Sequence, residues 1–207
     1  LPELERPLIL HADAADALGL PEVTAHPWDR LIASDAFGSA ATRDALPAAL
    51  REHAAPGARL VVAQRIPARG QRLSTLLTDP PEALVRAEQA LFGDPGNDLV
   101  NWDEGDLGER IEAGGWMIQE QRLVETNEER MITAEQISAW LDPTRNEGLG
   151  RALREIVDAA EPAAEPAARA ADGAAAVTAT IHDRLAGRSV MWRTCYALIV
   201  ARREADG

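Results

Sequence analysis

The sequence predicts an α/β fold, one domain built around a mainly parallel sheet, and three observations predict it. Runs such as Leu60-Val61-Val62-Ala63 are almost continuously apolar, the pattern of a strand buried on both faces. Between them lie segments whose apolar residues recur at helical spacing, Leu46 with Leu50 and Leu149 with Leu153 among them. In the first half the order is strand, helix, strand, which lays helices against a parallel sheet. With 207 residues, 46% of them hydrophobic, the chain is long enough to bury one substantial core.

The elements follow in chain order. Pro7 to His11 reads as a short buried strand ending at the acidic stretch Ala12 to Asp16, and Trp28 to Ser34 reads as a second after the turn at His26-Pro27. Asp44 to His53 predicts a helix closed by Pro56-Gly57, and Arg59 to Ile66 the next strand. Asp79-Pro80-Pro81-Glu82 looks like a helix start, with Asp79 as the cap and proline in the first turn. A further helix begins at Asp103 and stops at Gly114-Gly115, where the strand Trp116 to Thr126 begins. Thr133 and Gln136 have capping-box spacing and open a short helix that Pro143 stops. Leu149 to Val157 is helical. Residues 161–176, rich in Ala, Pro and Glu without apolar periodicity, are expected to form an exposed, poorly ordered connection. Ala174 to Leu185 is a helix stopped by Gly187, and Val190 to Ala201 a long last strand. The helices between about 133 and 188 form an insertion before that strand.

Composition closes off several chemistries. All 21 basic residues are arginine, so neither a phosphate-loop lysine nor a Schiff-base lysine exists in the chain. A net charge of −13 argues against tight nucleic-acid binding by this segment. The single cysteine, Cys195, permits no internal disulfide and suits a reducing cytoplasm, and no apolar run is long enough for a bilayer. Cys195 has no histidine at useful spacing, and His11, His26, His53 and His182 form no metal-ligand pattern, so no metal site is expected. The chain starts at leucine with no signal-peptide pattern, which predicts a piece of a longer protein.

An acidic turn after a strand, Trp28-Asp29 opening the next strand, Pro56-Gly57-Ala58-Arg59-Leu60-Val61-Val62, Gly114-Gly115-Trp116 and a long final strand occur here in the order that resembles class I S-adenosylmethionine-dependent methyltransferases from their third strand onward. The resemblance implies an incomplete Rossmann-like sheet, mainly parallel, with the last strand antiparallel to its neighbours. It places Asp13 beside the cofactor's adenine and Ala33, Ser34 and Asp35 beside its methionine part. The family's G-x-G-x-G loop and its ribose-binding acid have no counterpart in these residues. No cofactor is therefore expected for this segment alone, and S-adenosylmethionine only with an upstream half. The runs Arg65-Ile66-Pro67 to Leu73, Asn101 to Leu107, Arg130 to Trp140 and Ser189 to Thr194 are similar to the C-terminal region of bacterial fusion proteins carrying a replication-associated recombination AAA+ ATPase. That resemblance implies an accessory or interaction domain of an ATPase acting at stalled or damaged forks, with a protein or the upstream ATPase domain as partner. The alternative is an active methyltransferase whose cofactor-binding strands lie upstream of Leu1.

Each candidate residue also has a plainer role. Asp13 and Asp16 follow a strand, where acids commonly cap the next helix, and Asp29 opens a strand, where it accepts backbone hydrogen bonds. Asn101-Trp102-Asp103-Glu104 offers two carboxylates, an indole and an amide for a substrate clamp, or else a helix cap with Trp102 packed beneath it. Arg65, Arg69 and Arg72 concentrate positive charge past a strand end, where open α/β sheets bind ligands, and suit a phosphate or an acidic partner as well as local charge balance. Trp192 and Arg193 point to opposite faces of the last strand, with Trp192 in the core, and Cys195 is read as a small buried apolar residue.

Overall fold

A computed structural model describes residues 14–146, 148–160 and 166–204. The elements are α1 (Ala14–Leu18), α2 (Pro21–Thr24), β1 (Trp28–Ser34), α3 (Ala40–His53), β2 (Ala54–Arg65), α4 (Glu82–Gly93), α5 (Glu104–Ala113), β3 (Trp116–Ile132), α6 (Ala134–Leu141), α7 (Leu149–Ala160), α8 (Pro166–Leu185) and β4 (Arg188–Arg203), with short 3-10 turns at Pro67–Arg69 and Ser74–Leu76. The expected strand at 7–11 lies outside the described residues.

The four strands form one sheet in the order β1-β2-β4-β3. β1 and β2 are parallel, with Leu31 beside Leu60 and Ala33 beside Val62. β4 runs antiparallel to β3, because Thr126 Oγ1 donates to the Thr194 carbonyl while the Gly187 amide, earlier in the chain, donates to Ile132, later in β3. It is also antiparallel to β2: the Ile66 amide bonds Cys195, and Arg203, further on, bonds the carbonyl of Ala54, further back. The reversed last strand is as expected. The sheet is mixed in the way expected: among the described strands β1, β2 and β3 run in one direction and only β4, between β2 and β3, runs against them.

Contacts divide the chain into two compact units, one of residues 1–64, 104–122 and 197–207, the other of residues 65–103 and 123–196. In the first, the sheet buries Leu31, Ala33, Leu60 and Val62, while α3 and α5 pack on one another through buried Leu46, Leu107 and Ile111. Ser39 and Thr42 make a reciprocal capping box that starts α3 at Ala40, earlier than the apolar spacing alone indicates. Pro56-Gly57 does not close this helix. Both residues lie in β2, where Gly57 takes φ 78° beside a register shift between Trp28 and Arg30, so the glycine serves a strand irregularity rather than a turn.

α5 stops at Gly114-Gly115 as predicted, and Gly114 permits a close approach. A Cβ there would overlap the Pro47 side chain and come within 2.9 Å of the Ala48 nitrogen, which belongs to the backbone of α3 and cannot rotate away. Gly114→Ala is accordingly expected to cost about 1–3 kcal/mol through forced separation of the helices. Urea unfolding measures it, and an unchanged midpoint would show that α3 and α5 do not meet here.

The second unit buries Leu84, Ile132, Ile137, Leu153 and Ile181 in one cluster to which α4, α6, α7 and α8 contribute. Thr133 and Gln136 form the predicted capping box of α6. Two expectations fail. α4 has Pro81 at its N-cap with no side-chain cap, because Pro80 and Pro81 hold the entry extended and leave Asp79 too far back to reach the first-turn amides. Residues 166–176, expected to be an exposed connection, belong to α8, and 161–165 lie outside the described residues. Alanine has the highest helix propensity and proline is tolerated in a first turn, so this composition propagates a helix without an apolar stripe of its own. Ala174 and Val177 join that helix to the core cluster. No helix among the described residues is long and apolar enough to cross a membrane.

Candidate functional site

Two places in the structure carry the residues singled out by sequence, one in each unit. In the first unit, β1 ends at Ser34 and the chain turns through Asp35, the one non-glycine residue with positive φ among those described, at 50°. Aspartate tolerates this left-handed conformation better than most residues. The Asp35 amide donates to the Ala63 carbonyl at 2.9 Å, and the Phe37 amide to Gln64 Oε1 at 2.8 Å. Phe37 is fully buried, Gln64 nearly so, and the buried guanidinium of Arg43 reaches the carbonyls of Phe37 at 3.4 Å and Gly38 at 3.3 Å. The loop at the carboxyl end of the parallel pair is thus fixed from beneath, with Ala33 buried and the side chains of Ser34 and Asp35 exposed. That is the position at which open α/β sheets bind ligands. Asp13 lies outside the described residues, while Asp16 and Asp29 are exposed. Gln64 escaped the sequence reading. Its signal is the amide that directly follows the apolar run Leu60-Val61-Val62-Ala63.

In the second unit, Gln71, Leu73, Glu88, Leu91, Phe92, Val100, Trp140, Asn146, Gly148, Leu149 and Trp192 line a cleft of about 210 Å³. Trp140 of α6 and Trp192 of β4 stack with ring centroids 5.3 Å apart and planes 27° apart, and the Arg130 guanidinium lies 5.0 Å from the Trp192 centroid. The polar groups in the wall are already engaged. Gln71 accepts from the Arg193 amide at 3.2 Å and donates to Thr75 at 2.6 Å, and Asn146 Oδ1 accepts from the amides of Gly148 at 2.9 Å and Leu149 at 3.0 Å. Buried Glu88 accepts from the Leu73 amide at 2.6 Å and from the Ser74 hydroxyl. Beside the cleft, the hydroxyl and amide of Thr144 hold the Asp142 carboxyl below the usual carboxylate range. What the cleft presents is apolar and aromatic surface, suited to holding a flat, uncharged group and not to transferring a proton.

The three arginines part company. Arg65 ends β2 and is exposed, and Arg69 pairs with Asp103 at 3.7 Å. Arg72 instead turns inward onto the Phe92 ring. Burial lowers its pKa, nearby Glu88 opposes that shift, and Arg193 adds to it. Arginine stays charged through such shifts. Asn101 Nδ2 closes its loop onto the Asp94 carbonyl at 2.7 Å and Trp102 is buried, which fits the packing role of that group. Trp192 is half-buried rather than in the core, Arg193 is exposed on the opposite face, and Cys195 is buried with Sγ 4.0 Å from a Glu125 carboxylate oxygen. No group of three or more His, Cys, Asp or Glu among the described residues is placed to hold a metal ion.

No family model matches the chain, and neither does any curated protein. Among solved structures it is similar to the [4+2]-cyclase SpnF, with 17% identity over 92% of this chain and 55% of that one at a TM-score of 0.38. A Bacillus halodurans C-125 protein described as a methyltransferase gives 13% identity over 92% of this chain and 70% of that one, at a TM-score of 0.39. The mycolic acid cyclopropane synthase CmaA1, solved with SAH, gives 10% identity over 86% and 56%, at 0.37. This chain thus spans just over half the length of the cyclase and of the synthase. TM-scores this low assign neither a reaction nor a ligand to it.

Proposed function

We propose that this chain is the acceptor-side half of a class I S-adenosylmethionine-dependent methyltransferase, with the glycine loop and ribose-binding acid supplied by sequence outside these 207 residues. One observation carries the reading: a parallel pair ends on a pinned loop, and the last strand of the chain is inserted, reversed, between β2 and β3. The reversed strand is what the sequence resemblance implies of this family. In this reading Ala33 to Asp35 meet the methionine part of the cofactor and Asp13 the adenine.

A second reading, an interaction domain attached to a recombination ATPase, keeps one observation in its favour. The segments behind that resemblance, although far apart in sequence, contribute Gln71, Leu73, Trp140 and Trp192 to a single cleft.

Calorimetric titration with S-adenosylmethionine separates the two. Two missing anchoring contacts at about 1–3 kcal/mol each weaken binding by roughly one to four powers of ten, so the 207-residue chain is expected to bind only at about millimolar concentration. Joined to the residues that precede it in its gene, the same chain is expected to bind at micromolar concentration. Absence of binding in the longer protein overturns the methyltransferase reading and favours the interaction domain. Tight binding by the 207 residues alone, lost on Asp13→Ala, shows instead that the cofactor site is complete here.

A further inference from the structure

Among the described residues, the parallel ladder of the first unit is covered on one face and open on the other. Alternate residues Leu31, Ala33, Leu60 and Val62 are buried, whereas Ile32 is 82% exposed and its register partner Val61 38% exposed. β4 continues the same alternation, with Ala197, Ile199 and Ala201 buried and Leu198 and Val200 only half so. A single exposed apolar side chain is ordinary, but parallel strands are found almost only where both faces are covered, and the cover is helical. The charges beside this patch are equally unusual. Arg30 and Arg59 are in register next to Ile32 and Val61, both exposed, and like charges so placed repel. Neither pairs with a carboxylate among the described residues, in a chain with 34 acidic residues to offer. Exposed Arg202 adds a third positive group where it passes Gly57.

We infer that this face docks an amphipathic helix of another polypeptide segment, its apolar stripe on Ile32 and Val61 and its flanking Asp or Glu side chains over Arg30 and Arg59. A second copy of the chain fits poorly, because a two-fold contact brings the arginines of one copy against those of the other. A membrane or nucleic acid fits poorly with a net charge of −13. The inference does not rest on the methyltransferase reading, since it is argued from the exposure and charge of the described residues, and cofactor titration does not probe it.

The test uses the 207-residue chain and two synthetic helical peptides of about 18 residues, five turns, with the same leucine stripe, one flanked by Glu and the other by Lys. The Glu peptide is expected to bind with a dissociation constant of about 10–100 µM, and the Lys peptide at least about tenfold more weakly. Ile32→Asp is expected to abolish binding. The double variant Arg30→Glu with Arg59→Glu is expected to reverse the preference in favour of the Lys peptide, a gain that a misfolded protein does not show. Equal binding of the two peptides, or of neither, overturns the proposal. So does binding to anionic phospholipid vesicles that Ile32→Asp removes, which assigns the face to a membrane, or a dimer in sedimentation that Ile32→Asp dissociates, which assigns it to a second copy.

Discussion

Trp116→Ala is expected to lower the unfolding free energy by about 3–5 kcal/mol, the range for emptying a buried aromatic site. Trp116 opens β3 and is 2% exposed, and its indole Nε1 donates to the Pro47 carbonyl of α3 at 2.8 Å inside the protein. Alanine removes both the ring and the donor. Phenylalanine keeps most of the buried area and leaves the carbonyl without the indole, so Trp116→Phe is expected to cost only about 1–2 kcal/mol. Urea unfolding followed by circular dichroism, with an unchanged slope, reads both values. Small domains have about 5–15 kcal/mol in total, so the alanine variant gives up a large share of it. If the two variants are equal, the hydrogen bond and not the ring volume is what matters, and the cavity argument is wrong.

The second large effect lies in the other unit. Glu88 sits on α4 with 6% exposure, and its carboxylate receives the Leu73 amide at 2.6 Å, the Ser74 amide at 3.4 Å and the Ser74 hydroxyl. It holds the start of the 3-10 turn Ser74–Leu76 and offsets part of the burial of Arg72. Glu88→Ala leaves a buried amide without an acceptor and removes a charge that favours the half-buried Arg72 guanidinium, for an expected loss of about 2–3 kcal/mol. Glu88→Gln retains an acceptor oxygen and is expected to lose roughly half as much. Hydrogen exchange at the Leu73 and Ser74 amides gives the local readout: both are expected to lose protection in the alanine variant. Retained protection there would show that the turn stands without the carboxylate.

The elements legible in the sequence were those whose signal is local. Continuous apolar runs marked β1 and β2, the Thr133 and Gln136 pair marked the start of α6, and Gly114-Gly115 marked the end of α5. Where two local rules compete, composition alone misleads. Pro56-Gly57 has the composition of a turn, but the strand absorbs it as an irregularity because Gly57 can take positive φ. Alanine-rich residues 166–176 lack a stripe, yet propensity and the packing of Ala174 and Val177 make them helix. The candidate site was legible only in part. Ala33 to Asp35 could be placed at a strand end, but the support from Gln64 and Arg43 comes from outside that strand, and the cleft joins Gln71, Trp140 and Trp192 across more than a hundred residues. No periodicity in one segment encodes a meeting of that kind.

The place of β4 in the sheet has a consequence for synthesis on the ribosome. β4 is made after β2 and β3, and it lies between them. Until its 16 residues leave the exit tunnel, β2 and β3 each present an unpaired edge to the cell. Neither edge can be satisfied by the other without excluding the strand that belongs between them. A nascent chain stalled before Arg188 therefore exposes two strand edges that β4 later closes, a species for chaperones to guard, and closure of the sheet becomes a late event that depends on long-range pairing.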